Sequence, residues 1–564
     1  MTAPPTGIGE GTGTEPPGPR LKPARDLDHR RGSREPHDPD DPRGTGIDAW
    51  FAQLLSTPGR LRAWYWGAPA LVTLIAALLR LVDLGNPHAL VFDETFYVKD
   101  SWTLMHLGYE ASWPATPDPG FNAGHVDAFS SDPEFVAHPP LGKWIMSLGL
   151  ALFGAQNSFG WRFSTAVVGV LAVVLVMLIA RRLFRGSTLI AVIAGTLMAI
   201  DGNAIVMSRV ALLDGLVMFV ALLGFGAVLL DRDWQERRLT ALLARKRSAG
   251  EAAYWGPALW WRPWLITAGA LFGLDAGIKW SGFYFLAFFG GYVVIVDLVT
   301  RKRAGVPFWF SSGMLKQAPV TFVLMVPVAV VAYVATWSGW LVTRDGYYRD
   351  WVQSAAGLRW SGALAWVPDW AQNLWHYQSE MYNYSINLHV AHPYQSNPLT
   401  WLFMIRPTSM YYVGSKFGEN GCTSPDGCSS AITDLANPII WWAAALACLY
   451  LVYRLARYRE WQIGLILTGL AAGYLPWMLY IDRTIFTFYS IAFEPYLILG
   501  LTAVIALVLG SRTDAAWRRK RGIALVAVFL GVAVAITVFF LPLWTGQQIP
   551  FWYWQLHMWL PSWI

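Results

Sequence analysis

Apolar stretches long enough to cross a lipid bilayer recur along most of this chain. A transmembrane helix needs about 20 mostly apolar residues, and it must pair its own backbone groups because lipid offers no hydrogen-bond partner. The hydropathy pattern predicts about eleven such spans. They lie near residues 66–82, 163–180, 188–203, 206–230, 263–279, 282–299, 317–337, 437–453, 461–480, 486–509 and 522–541. We therefore expect an all-α polytopic membrane protein.

Basic residues cluster between the spans, and every cluster falls on the same side when the spans are counted in order. The clusters are Arg60 and Arg62; Arg181, Arg182 and Arg185; Arg245–Arg247; Arg301–Arg303; Arg454, Arg457 and Arg459; and Arg518–Arg521. Cytoplasmic loops carry the excess of Lys and Arg. The N-terminus is therefore predicted to be cytoplasmic and the C-terminus extracytoplasmic. The net charge of +6 then needs no nucleic-acid partner.

Composition divides the chain into two parts. Residues 1–60 are rich in Pro, Gly and charge and poor in aliphatic residues, so we predict a disordered cytoplasmic tail. The tail lacks the apolar core of a signal peptide, and the first span is expected to act as the targeting signal in the cell membrane. Residues 61–564 form one transmembrane domain, with long extracytoplasmic loops at 83–162 and 338–436.

The second long loop contains two cysteines in a turn-rich stretch, GENGCTSPDGCSS. A disulfide between Cys422 and Cys428 suits an oxidising extracytoplasmic side, and two free thiols are the alternative. Cys448 lies within a span and is predicted to be a packing residue.

Ionisable residues concentrate at the extracytoplasmic ends of the spans. They are Asp93, Glu94, His138, Lys143, Arg162, Asp201, Arg209, Asp214, Asp275, Lys279, Asp482 and Arg483. Such groups are costly at membrane depth and usually face a cavity and a partner. Each one alone has a structural alternative: a helix N-cap, an interfacial anchor or a buried ion pair. Together on one membrane face, they suit a charged lipid substrate.

Six stretches in this order carry a family resemblance: FDETFYVKD, AHPPLGKWI, MSRVALLDGLVMF, GLDAGIKWSG, HPYQSNPLTWLFMIRPTS and DRTIFTFYSIAFEPYLIL. From about residue 66 to its end, the chain resembles the protein O-mannosyltransferases, integral-membrane glycosyltransferases of the GT-C fold. The resemblance implies transfer of mannose from a polyprenyl monophosphate donor to Ser or Thr hydroxyls of exported proteins. The chain lacks the β-trefoil insertion of eukaryotic members. It has Phe488-Tyr489-Ser490 where they have a His-Tyr pair, so it resembles the bacterial branch.

The resemblance also implies site residues. The family's acidic catalytic motif corresponds to Asp93 and Glu94, and its PPL-containing phosphate motif corresponds to His138 and Lys143. The arginine after the first loop corresponds to Arg162, which joins the residues predicted to bind the donor phosphate. A further acidic position corresponds to Asp214.

Glycosyl transfer to a hydroxyl needs a general base, and a positioned carboxylate can supply it. We predict that Asp93 takes the proton in an inverting displacement. Glu94 would then orient the site or bind the acceptor, because adjacent helical residues do not face each other. Cations available to the leaving phosphate also include Arg209, Lys279 and Arg483. No dedicated metal cage is apparent, so we expect no cofactor beyond the lipid donor, and Mg or Mn bound at the acidic pair is the alternative.

Aromatic and amide residues are dense in the stretch WHYQSEMYNYSINLHVAHPYQSNP of the second long loop. We predict acceptor or sugar binding by His392, Tyr394 and Gln395, and an interfacial helix on the bilayer is the alternative. His389 and His392 have the spacing of metal ligands, but no third ligand is close in the sequence.

Two rival functions follow from the same features. A GT-C enzyme could add the sugar to a lipid or a cell-wall glycan instead of a protein. A secondary transporter is a second rival, although internal repeats and midplane charges, which are typical of transporters, are not evident. Expected partners of the mannosyltransferase are the donor lipid, exported acceptor proteins, the export translocon and membrane lipids.

Overall fold

The computed structural model describes residues 45–355 and 357–564. Its first helices are α1 Gly46–Leu54, α2 Pro58–Leu81, α3 Glu94–Leu107, α4 Asp118–Asn122, α5 Leu141–Phe153, α6 Ser158–Leu183, α7 Thr188–Ile200, α8 Gly202–Arg209, α9 Leu213–Ser248, α10 Pro263–Ala276 and α11 Gly282–Arg303. The others are α12 Trp309–Ser311, α13 Ala318–Thr336, α14 Ser338–Val342, α15 Trp351–Ser354, α16 Asp369–Ile386, α17 Pro438–Tyr458, α18 Trp461–Tyr474, α19 Glu494–Leu509, α20 Ala516–Thr545 and α21 Phe551–Leu556. The predicted helical architecture is confirmed.

Helix length and composition account for nine of the predicted eleven spans. Within the described residues, eight helices are long and apolar enough to span a bilayer, and the bent pair α7 and α8 makes a ninth. The other two predicted spans correspond to α10, with 14 residues, and α19, with 16 residues. Both are shorter than a straight span needs, since about 20 residues cross the hydrocarbon core.

The predicted boundary between the third and fourth spans is wrong. The chain bends by 60° between α7 and α8, and α9 begins only at Leu213. The cause is Asp201, whose carboxylate accepts a hydrogen bond from the backbone N–H of Asn203 at 3.0 Å and so starts a new helix. A hydropathy pattern does not register such a cap.

The predicted disordered tail is wrong for its last part. Residues 1–44 lie outside the described residues, but α1 follows them and α2 begins at Pro58. Thr45 and Asp48 cap α1 reciprocally, with the Asp48 N–H donating to the Thr45 hydroxyl at 3.1 Å and the Thr45 N–H to the Asp48 carboxylate at 3.2 Å. The Arg519 guanidinium of α20 donates to Asp48 at 2.9 Å and holds α1 against the helical domain.

The outer helices present apolar side chains to the surroundings. Leu71, Leu74 and Leu78 are exposed on α2, and Val528 and Val538 are exposed on α20. By contrast, most residues of α19 and of the apolar N-terminal part of α9 are buried. Apolar side chains therefore cover the outside of the helical bundle as well as filling its core, which suits a lipid solvent.

The second long loop carries a small antiparallel sheet that the all-α prediction missed. Strand β1 Thr408–Ser415 pairs with β2 Cys428–Asp434, and β2 pairs with β3 Gln548–Pro550 near the end of the chain. Cys422 and Cys428 form a disulfide with an S–S distance of 2.02 Å, so the first of the two predicted alternatives is confirmed. It closes the turn between β1 and β2. Cys448 is free and buried, as predicted.

Replacing both Cys422 and Cys428 with Ser is expected to ease opening of the β1–β2 turn by about 2 kcal/mol, because the cross-link restricts the open chain. Amides of this hairpin should then exchange with solvent about thirtyfold faster in hydrogen-exchange measurements. Cys448→Ala, in α17, is the control and should leave these amides unchanged. Equal exchange in the double variant would contradict the prediction.

Candidate active site

The predicted acidic pair lies at the start of α3, where the two carboxylates point in different directions. Glu94 is the first residue of the helix and is fully buried, with 0% of its surface exposed. Asp93 precedes it and remains partly exposed. Adjacent positions at a helix start are about 100° apart, so the two side chains face different surroundings. The pair therefore does two different things.

Arg162 of α6 holds the segment that leads into the acidic pair. Its guanidinium is also 0% exposed. It donates to both Glu94 oxygens at 2.8 and 2.9 Å, and to the carbonyls of Leu84, Pro87 and Ala89 at 3.2, 3.0 and 2.9 Å. These contacts use all five guanidinium N–H groups. These contacts argue against the predicted binding of the donor phosphate by Arg162, because they leave it no N–H group for a ligand.

Both oxygens of the Glu94 carboxylate are also occupied by hydrogen bonds within the protein. Besides Arg162, its oxygens accept the backbone N–H groups of Val91 at 2.9 Å and Ala211 at 2.8 Å. The second contact ties α3 to the turn between α8 and α9. Of the two roles predicted for Glu94, the contacts support orientation of the site and argue against acceptor binding. These contacts fix the Glu94 side chain next to Asp93 in the chain.

Asp93 has the opposite character. It stands at the N-cap position of α3, but its side chain makes no capping hydrogen bond, so the helix-cap alternative fails. Among the described residues, its carboxylate has no hydrogen-bond or ion-pair partner. Burial raises the pKa of Asp93 to about 6; the charge of Lys279 lowers it and the charge of Asp214 raises it. A carboxylate that is free, accessible and poised near pH 6 has the properties of a general base.

Lys279, Asp214 and Tyr489 form the floor beside Asp93. The Lys279 ammonium donates to both Asp214 oxygens at 2.9 and 3.1 Å, and it lies 3.9 Å from the ring centroid of Tyr489. The predicted phosphate-binding charge of Lys279 is therefore largely neutralised by Asp214. Tyr489 was not among the predicted site residues. The signal that could have found it was its place in the motif Phe488-Tyr489-Ser490, at the position compared with the family's His-Tyr pair.

Two further residues predicted to bind phosphate have structural roles instead. Arg209 ends α8 and donates to four carbonyls at the C-terminal end of α2, namely those of Leu79, Arg80, Val82 and Asp83. A guanidinium suits this position because the last carbonyls of a helix lack partners within it. These contacts argue against the predicted role of Arg209 in phosphate binding.

Lys143 is buried, with 1% of its surface exposed, inside the first long loop. Its ammonium lies 2.5 Å from Glu110 and 3.8 Å from Asp100, and it donates to the carbonyl of His138 at 3.2 Å. These contacts fix the HPPLGK turn against α3. Lys143 therefore positions His138, and its own charge is balanced by acidic residues of the loop, contrary to its predicted contact with the phosphate.

Arg483 and His138 are the predicted phosphate-binding residues whose side chains remain available. Within residues 45–355 and 357–564, the Arg483 guanidinium has no hydrogen-bond or ion-pair partner, and its Nε is buried. Lys279, Lys143 and Arg483 all add positive potential at His138, and burial together with these charges holds the pKa of His138 well below its usual range. His138 is thus a neutral imidazole beside an unpaired cation.

The second long loop supports the segment that carries Arg483. The Thr484 N–H donates to the Leu388 carbonyl at 3.1 Å, and the Ser396 N–H donates to the Ile485 carbonyl at 2.9 Å. The Gln395 amide donates to the Arg483 carbonyl at 3.3 Å. Gln395, predicted to bind acceptor or sugar, uses its amide N–H here to position the arginine.

Of the other two predicted loop residues, His392 and Tyr394, the first contacts the acidic motif. The His392 ring packs edge-on against Phe92, whose centroid is 5.9 Å away, and against Phe486 at 4.9 Å. Phe92 immediately precedes Asp93. Tyr394 lies further out, under the guanidinium of Arg406 at 5.1 Å. The loop therefore brings His392 to the acidic motif and leaves Tyr394 beside it.

The metal alternative can be tested on the acidic pair. Both Glu94 oxygens are taken by Arg162 and backbone N–H groups, so the pair does not offer two free carboxylates to Mg or Mn. One His389 nitrogen contacts the Asp482 carbonyl at 2.9 Å. In the described part of the chain, no group of three or more His, Cys, Asp or Glu side chains is arranged to hold a metal ion.

Comparisons with known sequences bear on this site. Residues 137–252 match the family described as "Dolichyl-phosphate-mannose-protein mannosyltransferase", and residues 370–563 match the "C-terminal four TMM region of protein-O-mannosyltransferase". A "Polyprenol-phosphate-mannose--protein mannosyltransferase" of Mycobacterium tuberculosis (strain ATCC 25618 / H37Rv) is 33% identical over 513 residues, covering 89% of this chain and 92% of the relative. The chain belongs to the protein O-mannosyltransferase family. A relative of the same name from Mycolicibacterium smegmatis (strain MKD8) is 34% identical over 89% of this chain and 93% of its own length.

A solved structure agrees on the fold. The Saccharomyces cerevisiae protein O-mannosyltransferase complex Pmt1-Pmt2, bound to the sugar donor, superposes with a TM-score of 0.64. The match covers 93% of this chain and 95% of that chain at 14% identity, so it bears on the GT-C fold alone. Membership in the mannosyltransferase family argues against the transporter alternative, and the protein is a glycosyltransferase.

Proposed function

We propose that this enzyme transfers mannose from a polyprenyl monophosphate donor to Ser and Thr hydroxyls of exported proteins at the extracytoplasmic membrane surface. The observation that carries the proposal is the pairing of a free carboxylate, Asp93, with a free guanidinium, Arg483, around the Lys279–Asp214 ion pair. A base and a cation are what the attacking and leaving oxygens of glycosyl transfer require. The relatives' names supply the sugar and the acceptor class.

In the proposed reaction, the acceptor hydroxyl oxygen attacks the anomeric carbon of the mannose and Asp93 takes the hydroxyl proton. The bond between that carbon and the phosphate oxygen breaks, and its electron pair leaves with the lipid phosphate. One base suffices for a direct displacement, which inverts the anomeric centre. Asp214 is held by Lys279 and Glu94 by Arg162, so neither competes as a second free carboxylate.

Arg483 and His138 are proposed to receive the phosphate. A cation placed where negative charge develops stabilises the transition state, and Arg483 has its hydrogen-bonding capacity in reserve. A neutral His138 can donate one N–H to a phosphate oxygen. The prenyl chain stays in lipid while the head group reaches the site, and no step of this scheme is routed through a metal ion.

Arg483→Gln is expected to lower kcat/KM for the lipid donor by about 10- to 150-fold, the worth of a charge-assisted hydrogen bond. Arg483→Lys should recover part of this, since it restores the charge but not the planar guanidinium. Arg359→Gln is the matched control, because Arg359 is an exposed arginine of the second long loop and pairs with Asp369. Donor kinetics in Arg483→Gln that equal those of Arg359→Gln would remove Arg483 from the phosphate site.

The rate is expected to depend on the ionisation of Asp93. A base must be deprotonated, so kcat/KM should fall about tenfold per pH unit below about pH 6, the pKa of Asp93. Lys279→Gln should move this limb to higher pH, because Lys279 lowers the pKa of Asp93, and Asp214→Asn should move it to lower pH. His138→Gln should leave the limb in place, because the pKa of His138 is already well below its usual range. A limb that vanishes in His138→Gln would assign it to the histidine.

The acceptor side is proposed to lie at His392 and Phe92, next to the Asp93 carboxylate. Aromatic rings with one polar edge can pack on a peptide or sugar while orienting a hydroxyl. The export translocon is retained as a proposed partner, since acceptor segments would reach this face as they leave the membrane. The extracytoplasmic position rests on the basic clusters, which fall on the opposite side when all eleven apolar segments, α10 and α19 included, are counted as crossings.

Purified protein with polyprenyl phosphate mannose, offered a Ser/Thr-rich peptide and a glycolipid in parallel, tests the acceptor class. Mannosyl peptide detected by mass spectrometry, absent with the Asp93→Asn variant, is the expected result. Transfer to the glycolipid with none to the peptide would replace this proposal with the glycan-modifying alternative.

A further inference from the structure

A cavity of about 470 Å³ lies among α1, α2, the turn between α6 and α7, and the turn between α19 and α20. These turns belong to the predicted cytoplasmic side, away from Asp93. The cavity walls are largely apolar and include Phe51 of α1, Trp64 of α2, Phe184 after α6, and Ala506 and Leu507 of α19. None of the predicted site residues lines it. A cavity of this size can hold part of a lipid-sized ligand.

The charged residues that line the cavity are all basic. They are Arg185, Arg512 and Arg519, and no Asp or Glu is found among the described lining residues. Arg512 is available to a ligand: its side chain is 57% exposed, and its ion-pair contact with Asp48 is as long as 3.9 Å. Arg519 by contrast is fixed by Asp48 and by the carbonyls of Leu509 and Gly510. Two acids contact the rim from behind: Asp48 beside Arg512 and Arg519, and Asp514, which accepts the Ser511 N–H. Three cations against two acids leave the rim with a net positive charge, which favours an anion.

Hydroxyl and amide groups lie beside these cations. Ser187, Thr188 and Ser511 line the cavity, and Ser187 is the N-cap of α7, a 13-residue helix. A helix N-terminus adds positive potential and free N–H groups to a site that is already basic. Basic side chains, hydroxyls and a helix start together match a phosphate ester.

The helix α1, which lines this cavity through Phe51, has the residue pattern of a helix at the membrane interface. Its apolar residues Ile47, Trp50, Phe51 and Leu54 recur at spacings of three and four, and Phe51 packs against Trp64 with ring centroids 5.2 Å apart. Ile47, Trp50 and Leu54 are exposed. A short helix with one exposed apolar stripe, held beside basic residues, is typical of the membrane interface. Its position puts the cavity at head-group level.

We propose that this cavity binds an anionic phospholipid of the cytoplasmic leaflet, with the phosphate at the Arg512 rim and an acyl chain between α1 and α19. The apolar walls argue for a lipid over a soluble phosphate, because a free anion gains nothing from them. The basic rim argues for an anionic over a zwitterionic head group. The inference does not depend on the mannosyltransfer reaction.

Native mass spectrometry of the detergent-purified full chain can test this with two lipids of identical acyl chains, phosphatidylglycerol and phosphatidylcholine. We expect retained phosphatidylglycerol and a preference over phosphatidylcholine that falls about fivefold in Arg512→Gln, the effect of one basic side chain near a membrane surface. Ala506→Trp, which fills the cavity, should reduce binding of both lipids. Arg457→Gln is the matched control, since Arg457 is basic, lies at the end of α17 and does not line the cavity.

Thermal unfolding of each variant checks that the fold is retained. Equal retention of the two lipids by the unmodified protein would overturn the proposal. So would losses in Arg512→Gln no larger than in Arg457→Gln, or unchanged binding in a folded Ala506→Trp. Displacement of the bound lipid by excess inorganic phosphate would also overturn it, by making the site one for a free anion.

Discussion

Asp93→Asn is expected to abolish most mannosyl transfer, with a fall in kcat of about 10²- to 10⁴-fold, the usual contribution of a general base. The substitution keeps the shape of the side chain and removes its ability to take a proton. The Asp93 side chain forms no cap and has no partner in the described chain, so the variant should express and unfold like the unmodified protein. Transfer to a Ser/Thr peptide from a mannosyl lipid measures the loss.

A matched control for this variant is Asp482→Asn. Asp482 is an exposed acid close in sequence to Arg483, and only its backbone carbonyl takes part in a described contact, with His389. The control removes one negative charge near the site without touching the proposed base. Turnover in Asp93→Asn similar to that of the control would rule out Asp93 as the base.

Arg162→Ala is expected to destabilise the protein by about 3–5 kcal/mol, the cost of removing one partner of a buried ion pair. The change leaves the Glu94 carboxylate buried without its cation and frees three loop carbonyls that the guanidinium holds. Arg162→Lys should recover little, because an ammonium cannot reproduce the five-contact fork. Chemical unfolding in detergent, followed by Trp fluorescence, measures the change.

The comparison for Arg162 is an arginine at the surface. Arg359→Ala breaks the exposed pair with Asp369 and should change stability by less than about 1 kcal/mol. If Arg162→Ala unfolds like Arg359→Ala but loses donor affinity, then Arg162 acts on the phosphate after all. A strong loss of stability with little change in donor KM among the surviving folded molecules would support the structural role.

Hydropathy and charge predicted most of the fold, because a bilayer requires apolar spanning helices and favours basic loops on the cytoplasmic side. Most of the long helices lie where the apolar runs predicted them. The prediction missed the bend at Asp201 and the helix α1, because both depend on local capping contacts such as the one between Thr45 and Asp48. The prediction also missed the sheet, whose strand β2 pairs with β3 more than one hundred residues further along the chain.

The site was predictable as a region and less so as a set of roles. Sequence motifs pointed to the region around Asp93, His138 and Arg483, but the sequence does not distinguish a basic residue that binds a ligand from one that holds the backbone. The guanidinium N–H groups of Arg162 and Arg209 donate to backbone carbonyls whose positions depend on how the loop after α2 folds. Counting the unused N–H groups separates the two kinds of arginine, and only coordinates allow that count.

The pairing of β2 with β3 orders events during synthesis. Strand β3 follows α20, so the ribosome has made all the long helices before the last strand of the sheet exists. The Arg406 guanidinium also donates to the carbonyls of Ser562 and Ile564, which are later still. The second long loop, beside Asp93, can therefore complete its fold only after the residues that follow α20 have been synthesised. A nascent chain that ends before them would have an incomplete active-site loop.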